Sequence, residues 1–115
     1  MIEKFQVQFL EEAAKFLDSL EEKARVKIYY NIKKAQVIND KELFKKLNNE
    51  IWEFRTLYNK THYRLFAFWD KIGEKVSVVI STHGVIKKSD KTLVADLEKA
   101  ERLRQIYFEQ KSDVL

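Results

Sequence analysis

Two arginines and a run of lysines are the side chains of this 115-residue chain best suited to chemistry. Arg55 lies in WEFR and Arg64 in HYRLFAFWD, while Lys87, Lys88 and Lys91 lie in STHGVIKKSDK, just after His83. A guanidinium is planar, permanently charged and matched to paired phosphate oxygens, and an ammonium adds a point charge. Such groups neutralise a polyanion, or the charge that builds up on a phosphate as it reacts. Strand alternation puts His62, Arg64, Phe66 and Phe68 on one face and Tyr63, Leu65, Ala67 and Trp69 on the other. An arginine in that company is costly unless it lines a cleft, reaches the sheet edge or pairs with Glu53. Arg55 falls on the face opposite Trp52 and Phe54, and on adjacent strands of one hairpin it and Arg64 can converge on a single phosphate. Tyr58, in the same hairpin, is a candidate for stacking an RNA base, although an aromatic there more often fills a core or an edge. His83 is a candidate acid or base, although a lone histidine at a strand end is more often structural. Lys87, Lys88 and Lys91 precede a helix N-terminus, itself an anion-binding device, whereas one or two lysines alone would read as a solvated loop.

The rest of the composition narrows the chemistry further. With no cysteine there is no catalytic thiol, disulfide or thiolate metal site, and two histidines leave little for a metal, so neither cofactor nor metal is expected. No Ser/His/Asp pattern, phosphate-binding glycine loop or convergent acidic pair is visible. An enzyme built from these residues works mainly by charge. RNA suits that, because its own 2′-OH is the nucleophile and the protein need only align it and neutralise the phosphate. The net charge of +4 is localised: residues 51–91 hold eight Lys/Arg against four Asp/Glu, while the flanking stretches are nearly balanced at ten against nine and four against five. A local excess of this kind favours a nucleic-acid partner. MIEKFQVQF has neither the basic start nor the long apolar run of a secretory signal, and no segment reaches membrane-spanning length, so a cytoplasmic location without membrane contact is expected.

The elements that must position these residues follow from periodicity. FQVQF at 5–9 alternates as a strand. Leu10, Ala13, Ala14, Leu17 and Leu20 form one helical stripe, and Ala24, Ile28, Ile32 and Ala35 a second, which predicts a helical hairpin. Asp40 reads as the N-cap of a short helix bearing Leu43, Phe44 and Leu47 and closed by Asn48 and Asn49. Strands follow at 51–58, 62–70 and 75–82, with turns at Asn59 to Thr61 and Asp70 to Gly73. A last helix, capped by Thr92, runs to about Glu109. Proline is absent and glycine occurs only at 73 and 84, so no linker divides the chain. The expectation is one α+β domain over 1–115, an antiparallel sheet of about four strands with an N-terminal helical hairpin and a C-terminal helix, disordered only over about 110–115.

IWEFRTLYNKTHYRLFAFW, then STHGVIKKSDKT and LEKAERLRQIY, resembles the HigB-like branch of the RelE/ParE toxin superfamily of type II toxin-antitoxin systems. A W-E-x-R segment, a Y-R strand and an H-G-F-x-K-K-x-x-K-T-P segment occur there in this order before a C-terminal helix. Residues 51 to about 107 carry the match, and the N-terminal half agrees in architecture alone. Val85 replaces the usual Phe and Leu93 the usual Pro, and neither change removes a charge. The resemblance implies a RelE-like fold and a metal-independent endoribonuclease that cleaves messenger RNA, usually in the ribosomal A site, leaving a 2′,3′-cyclic phosphate. Arg55, Arg64, His83 and Lys87 would be its catalytic residues, and Tyr58, Lys88 and Lys91 its RNA contacts. Its partners would be messenger RNA, the ribosome and a cognate antitoxin, a helix-turn-helix protein similar to HigA. Two other readings stand beside it: a ParE-like inhibitor of DNA gyrase, against which the one-sided basic set argues, and a non-catalytic nucleic-acid-binding module, for which no known stacking motif is present.

Overall fold

A computed structural model describes residues 2–71, 77–87 and 94–114. Lys88, Lys91, Thr92 and Gly73 lie outside the described residues. The elements in chain order are β1 (Gln6–Phe9), α1 (Glu11–Asp18), α2 (Glu22–Val37), β2 (Phe44–Lys46), β3 (Trp52–Tyr58), β4 (Thr61–Asp70), β5 (Val78–Lys87) and α3 (Val94–Val114). The class is α+β, as the periodicity predicts. One sheet of five strands runs in the order β1-β5-β4-β3-β2.

Helices cover both faces of this sheet. On one side Ala13 and Leu17 of α1 and Ile28, Ile32 and Ala35 of α2 pack on Phe5, Phe54, Leu65, Ala67 and Val79. On the other, Ala100 of α3 closes over Ile51, Phe66, Phe68 and Ile80. The two apolar faces of β4 thus each have a partner layer, the reason that strand lacks the apolar-polar alternation of a half-exposed one. The helical hairpin forms as expected. The Arg25 guanidinium helps close it by donating to the carbonyls of Leu17 and Leu20 at 3.3 and 3.1 Å, in the turn where Leu20 N also donates to Leu17 O at 3.2 Å.

Four expectations need correction. The sheet is mixed because β1 lies parallel to β5, with Val7 beside Val79, and it has one strand more than expected, the short β2. Residues 40–47 make no helix. Asp40 caps only a turn, its Oδ1 accepting from Glu42 N at 2.8 Å, and the chain then pairs with β3 as the short edge strand β2, Lys45 opposite Glu53. The last strand runs on through His83 and Gly84 to Lys87, so Lys87 is a strand residue and not part of a loop. Gly84 does not end the strand. A Cβ there would intrude on the Phe16 ring of α1, so glycine lets helix and sheet approach. Finally α3 extends to Val114 rather than stopping near Glu109. Tyr107 and Lys111 both reach the buried Asp70 at the end of β4, Tyr107 Oη donating to Oδ2 at 2.7 Å and Lys111 Nζ lying 2.6 Å from the same oxygen, and this anchors the last turns.

Candidate phosphate-binding site

The β3–β4 hairpin sets the site. Asn59 and Lys60 both take positive φ, 50° and 62°, in a two-residue turn whose twist matches that of the flanking strands. That turn fixes the register: Tyr58 faces Thr61, and counting back, Arg55 faces Arg64. Like charges directly opposed across a sheet repel. The compensation is Glu53, two residues before Arg55 and therefore on the same face. Its carboxylate lies 3.2 Å from Arg64 Nε through Oε1 and 3.8 Å from Arg55 Nε through Oε2. Glu53 and Arg64 are each only 2% exposed at the side chain, whereas Arg55 keeps 13%. Burial pushes the Glu53 carboxyl above the ordinary range, while Arg64, Arg55, Lys87 and Lys45 pull it down. The two arginines therefore sit at different depths, Arg64 inside against the carboxylate and Arg55 at the rim.

Lys87 and His83 stand on the same face, on the neighbouring strand β5, opposite His62 and Phe66. Facing them from the first turn of α3 is Asp96, whose Oδ2 is 3.4 Å from Lys87 Nζ and whose Oδ1 is 3.5 Å from His83 Nε2. The bulge at Phe66/Ala67 gives β5 one extra residue, and Thr82 and Ser81 hydroxyls both reach the Phe66 carbonyl there, at 3.3 and 3.1 Å. The His83 ring stacks on Phe66 at 4.8 Å between centroids and meets Thr82 Oγ1 through Nδ1 at 3.0 Å. With its side chain 3% exposed, His83 is held between sheet and helix and offers no open face to a substrate.

Its titration follows from that position. Burial first, and Lys99 second, lower the proton affinity of His83, against the opposing pull of Asp96 and Glu12. The folded-state value therefore lies below that of the unfolded chain, about 6.5. As pH falls, the unfolded chain takes the proton first, so the stability present above about pH 6.5 is lost progressively below it. A urea midpoint that drops between pH 7.5 and 5.5, with a smaller drop in His83→Gln, is the expected result. Equal drops in both proteins would show that other groups govern the acid limb.

Of the seven expected site residues, the structure brings Arg55, Arg64, Lys87 and His83 onto one face. Tyr58 shares the opposite face with Trp52, Phe54 and Thr56, and borders a groove with Val26 and Tyr30 of α2. Lys88 and Lys91 are outside the described residues. Sequence reasoning missed Lys45 and Asp96. Lys45 joins the basic face through its register with Glu53, which becomes legible only once 44–46 is read as a strand. Among the described residues no three His, Asp or Glu side chains gather as a metal ion would require.

A family model described as phage-derived protein Gp49-like matches residues 15–105, from within α1 to within α3. The chain belongs to the Gp49-like family. This family is a toxin-type module of toxin-antitoxin systems, within the RelE/HigB-like toxin superfamily. Comparison with curated proteins gave no significant match. For a Gp49-like chain an antitoxin is the partner to expect, and the α+β architecture is consistent with a RelE-like fold. Among the described residues no helix is long and apolar enough to cross a membrane.

Proposed function

We propose that this Gp49-like chain is an endoribonuclease that cuts messenger RNA on the ribosome and is silenced by a cognate antitoxin. The observation that carries the reading is the cross-strand pair Arg55 and Arg64 gathered on one buried carboxylate, with Lys87 and Lys45 on the same face. Two guanidiniums directly opposed across a sheet are unfavourable on their own, and a fold that keeps them is built to meet negative charge. Arg55, at the rim, contacts the scissile phosphate. Arg64, behind it, holds Glu53 and through it the position of Arg55, and adds its charge to the site. Lys87 contacts a flanking phosphate.

In the reaction the 2′-oxygen attacks the adjacent phosphorus and the bond to the 5′-oxygen breaks. The products are a 2′,3′-cyclic phosphate and a 5′-hydroxyl, and the proton lost by the 2′-OH balances the one gained by the leaving oxygen. Positive charge fixed before the reaction stabilises the pentacoordinate phosphate without reorganisation. With His83 enclosed, alignment of the message falls largely to the ribosome, and the work proceeds in the cytoplasm without a metal. The antitoxin is a helix-turn-helix protein of the HigA kind.

Induction of this chain alone is expected to arrest bacterial growth, and co-expression of the antitoxin to restore it. RNA ends mapped after induction should show new cuts inside translated messages, each ending in a cyclic phosphate. A DNA-damage response with messages intact would replace this reading with gyrase inhibition.

A further inference from the structure

At the end of the sheet remote from the hairpin, Trp52 opens β3 and Trp69 nearly closes β4. They are the chain's two tryptophans. Strand register makes them diagonal neighbours on one face, their rings 5.9 Å apart at 73°. Trp52 stacks on Phe44 at 4.8 Å, and Trp69 meets Phe5 edge-to-face at 5.1 Å. Both indoles are thereby fixed from the core side, yet both stay half-buried and line a cleft of about 500 Å³ completed by Lys46, Asn49, Glu50, Lys71, Arg104 and Phe108. That volume is within the range of small-ligand sites. Lys71 Nζ sits 5.0 Å over the Trp69 ring, so one aromatic face is turned to the cleft and already attracts a cation. Glu50 and Glu101 hold Arg104, each at 3.1 Å, whereas among the described residues neither Lys46 nor Lys71 has a carboxylate at ion-pair distance.

We propose that this cleft is a second subsite for single-stranded RNA, in which one unpaired base packs between the two indoles, face to one ring and edge to the other, and Lys46 and Lys71 take its flanking phosphates. The proposal rests on the RNA-cutting reading above. Rigid aromatic rings beside lysines that no carboxylate holds suit a single strand, whose bases expose their faces, and not a duplex, whose bases are stacked on each other. Trp52 and Arg55 are three residues apart on β3, about 10 Å along the strand but on opposite faces of the sheet, so a single strand that uses both places passes round the sheet end, where Arg104 and Phe108 of α3 line the cleft.

The position of both tryptophans gives a direct readout. An unlabelled 2′-O-methyl decanucleotide, which lacks the attacking hydroxyl, is titrated into the full chain while tryptophan emission is followed. A dye-labelled copy reports total binding by anisotropy. Expected is a saturable emission change with the same midpoint as the anisotropy. In Lys46→Ala/Lys71→Ala, two exposed positions, binding should weaken about tenfold and the salt dependence of log affinity should fall by one to two. Binding by anisotropy without an emission change, or parental affinity and salt slope in the double variant, overturns the subsite and leaves the RNA reading standing. No binding by either signal overturns the subsite, and the RNA reading is then decided by the message ends mapped after induction. An emission change with purified antitoxin but not with RNA assigns the cleft to that protein and overturns the proposal.

Discussion

Replacing Arg64 with alanine is expected to destabilise the fold by about 3–5 kcal/mol, the usual cost of removing one partner from a buried ion pair. The Glu53 and Arg64 side chains are each 2% exposed, and loss of the guanidinium strands a carboxylate that burial already disfavours in its charged form. The sign of the pH dependence follows. A carboxyl whose folded-state value is raised contributes stability when protonated, below about pH 4.5, and loses it as pH rises through the folded-state value. Without Arg64 that value rises further, so the deficit of Arg64→Ala should be larger at pH 7.5 than at pH 5. Arg64→Met fills most of the volume and separates charge from cavity. Adding Glu53→Gln to either variant should recover part of the loss, because a neutral amide tolerates the site better than an unpaired anion. Urea unfolding of the set decides it. If Arg64→Ala unfolds within about 1 kcal/mol of the parent while cleavage disappears, Arg64 acts on the substrate directly, and its burial does not reflect a structural role.

That double duty explains why the sequence marked Arg64 without settling its role. The cost of an arginine among Phe66 and Phe68 was legible from alternation alone, and so was Glu53 as a possible partner. The pairing of Arg55 with Arg64 was nearly legible too, because a two-residue turn at Asn59 and Lys60 leaves one register. Depth was not. Which of two opposed arginines lies inside depends on the layer above them, and that layer is α3, about 30 residues further along the chain.

The misread segments share this dependence on distant contacts. Leu43, Phe44 and Leu47 fit a helical stripe, and β2 is too short to display alternation, so only pairing with β3 makes it a strand. The parallel partner of β1 is separated from it by most of the chain, which no local pattern reports. Gly84 looked like a strand end because glycine usually interrupts strands, and its real cause is the Phe16 ring arriving from α1. His83 looked available beside its lysines because Asp96 and the bulge at Thr82, which enclose it, follow from packing and not from spacing. Conversely the helical hairpin and β3 to β5 were legible because each carries a long unbroken period.

Arg55→Ala is expected to slow message cleavage by about 10²-fold or more with little change in melting, the scale seen when a preorganised donor to a transition state is removed. The physical ground is the difference in depth. Arg55 lies 3.8 Å from Glu53 Oε2 with its side chain 13% exposed, a looser and wetter contact than that of Arg64, so its removal leaves the Glu53–Arg64 pair intact. Stability should change by less than in Arg64→Ala. If the guanidinium meets charge that develops on the phosphate, kcat falls in step with kcat/KM. If it only helps to bind RNA, KM rises and kcat stays. Lys87→Ala should show the second pattern, since a flanking phosphate carries the same charge throughout the reaction. The proteins are purified with the antitoxin, released, checked for melting, and assayed on ribosomes carrying a defined message. Parental cleavage by a folded Arg55→Ala protein would remove the rim arginine from the mechanism and leave the opposed pair as a device of the fold alone.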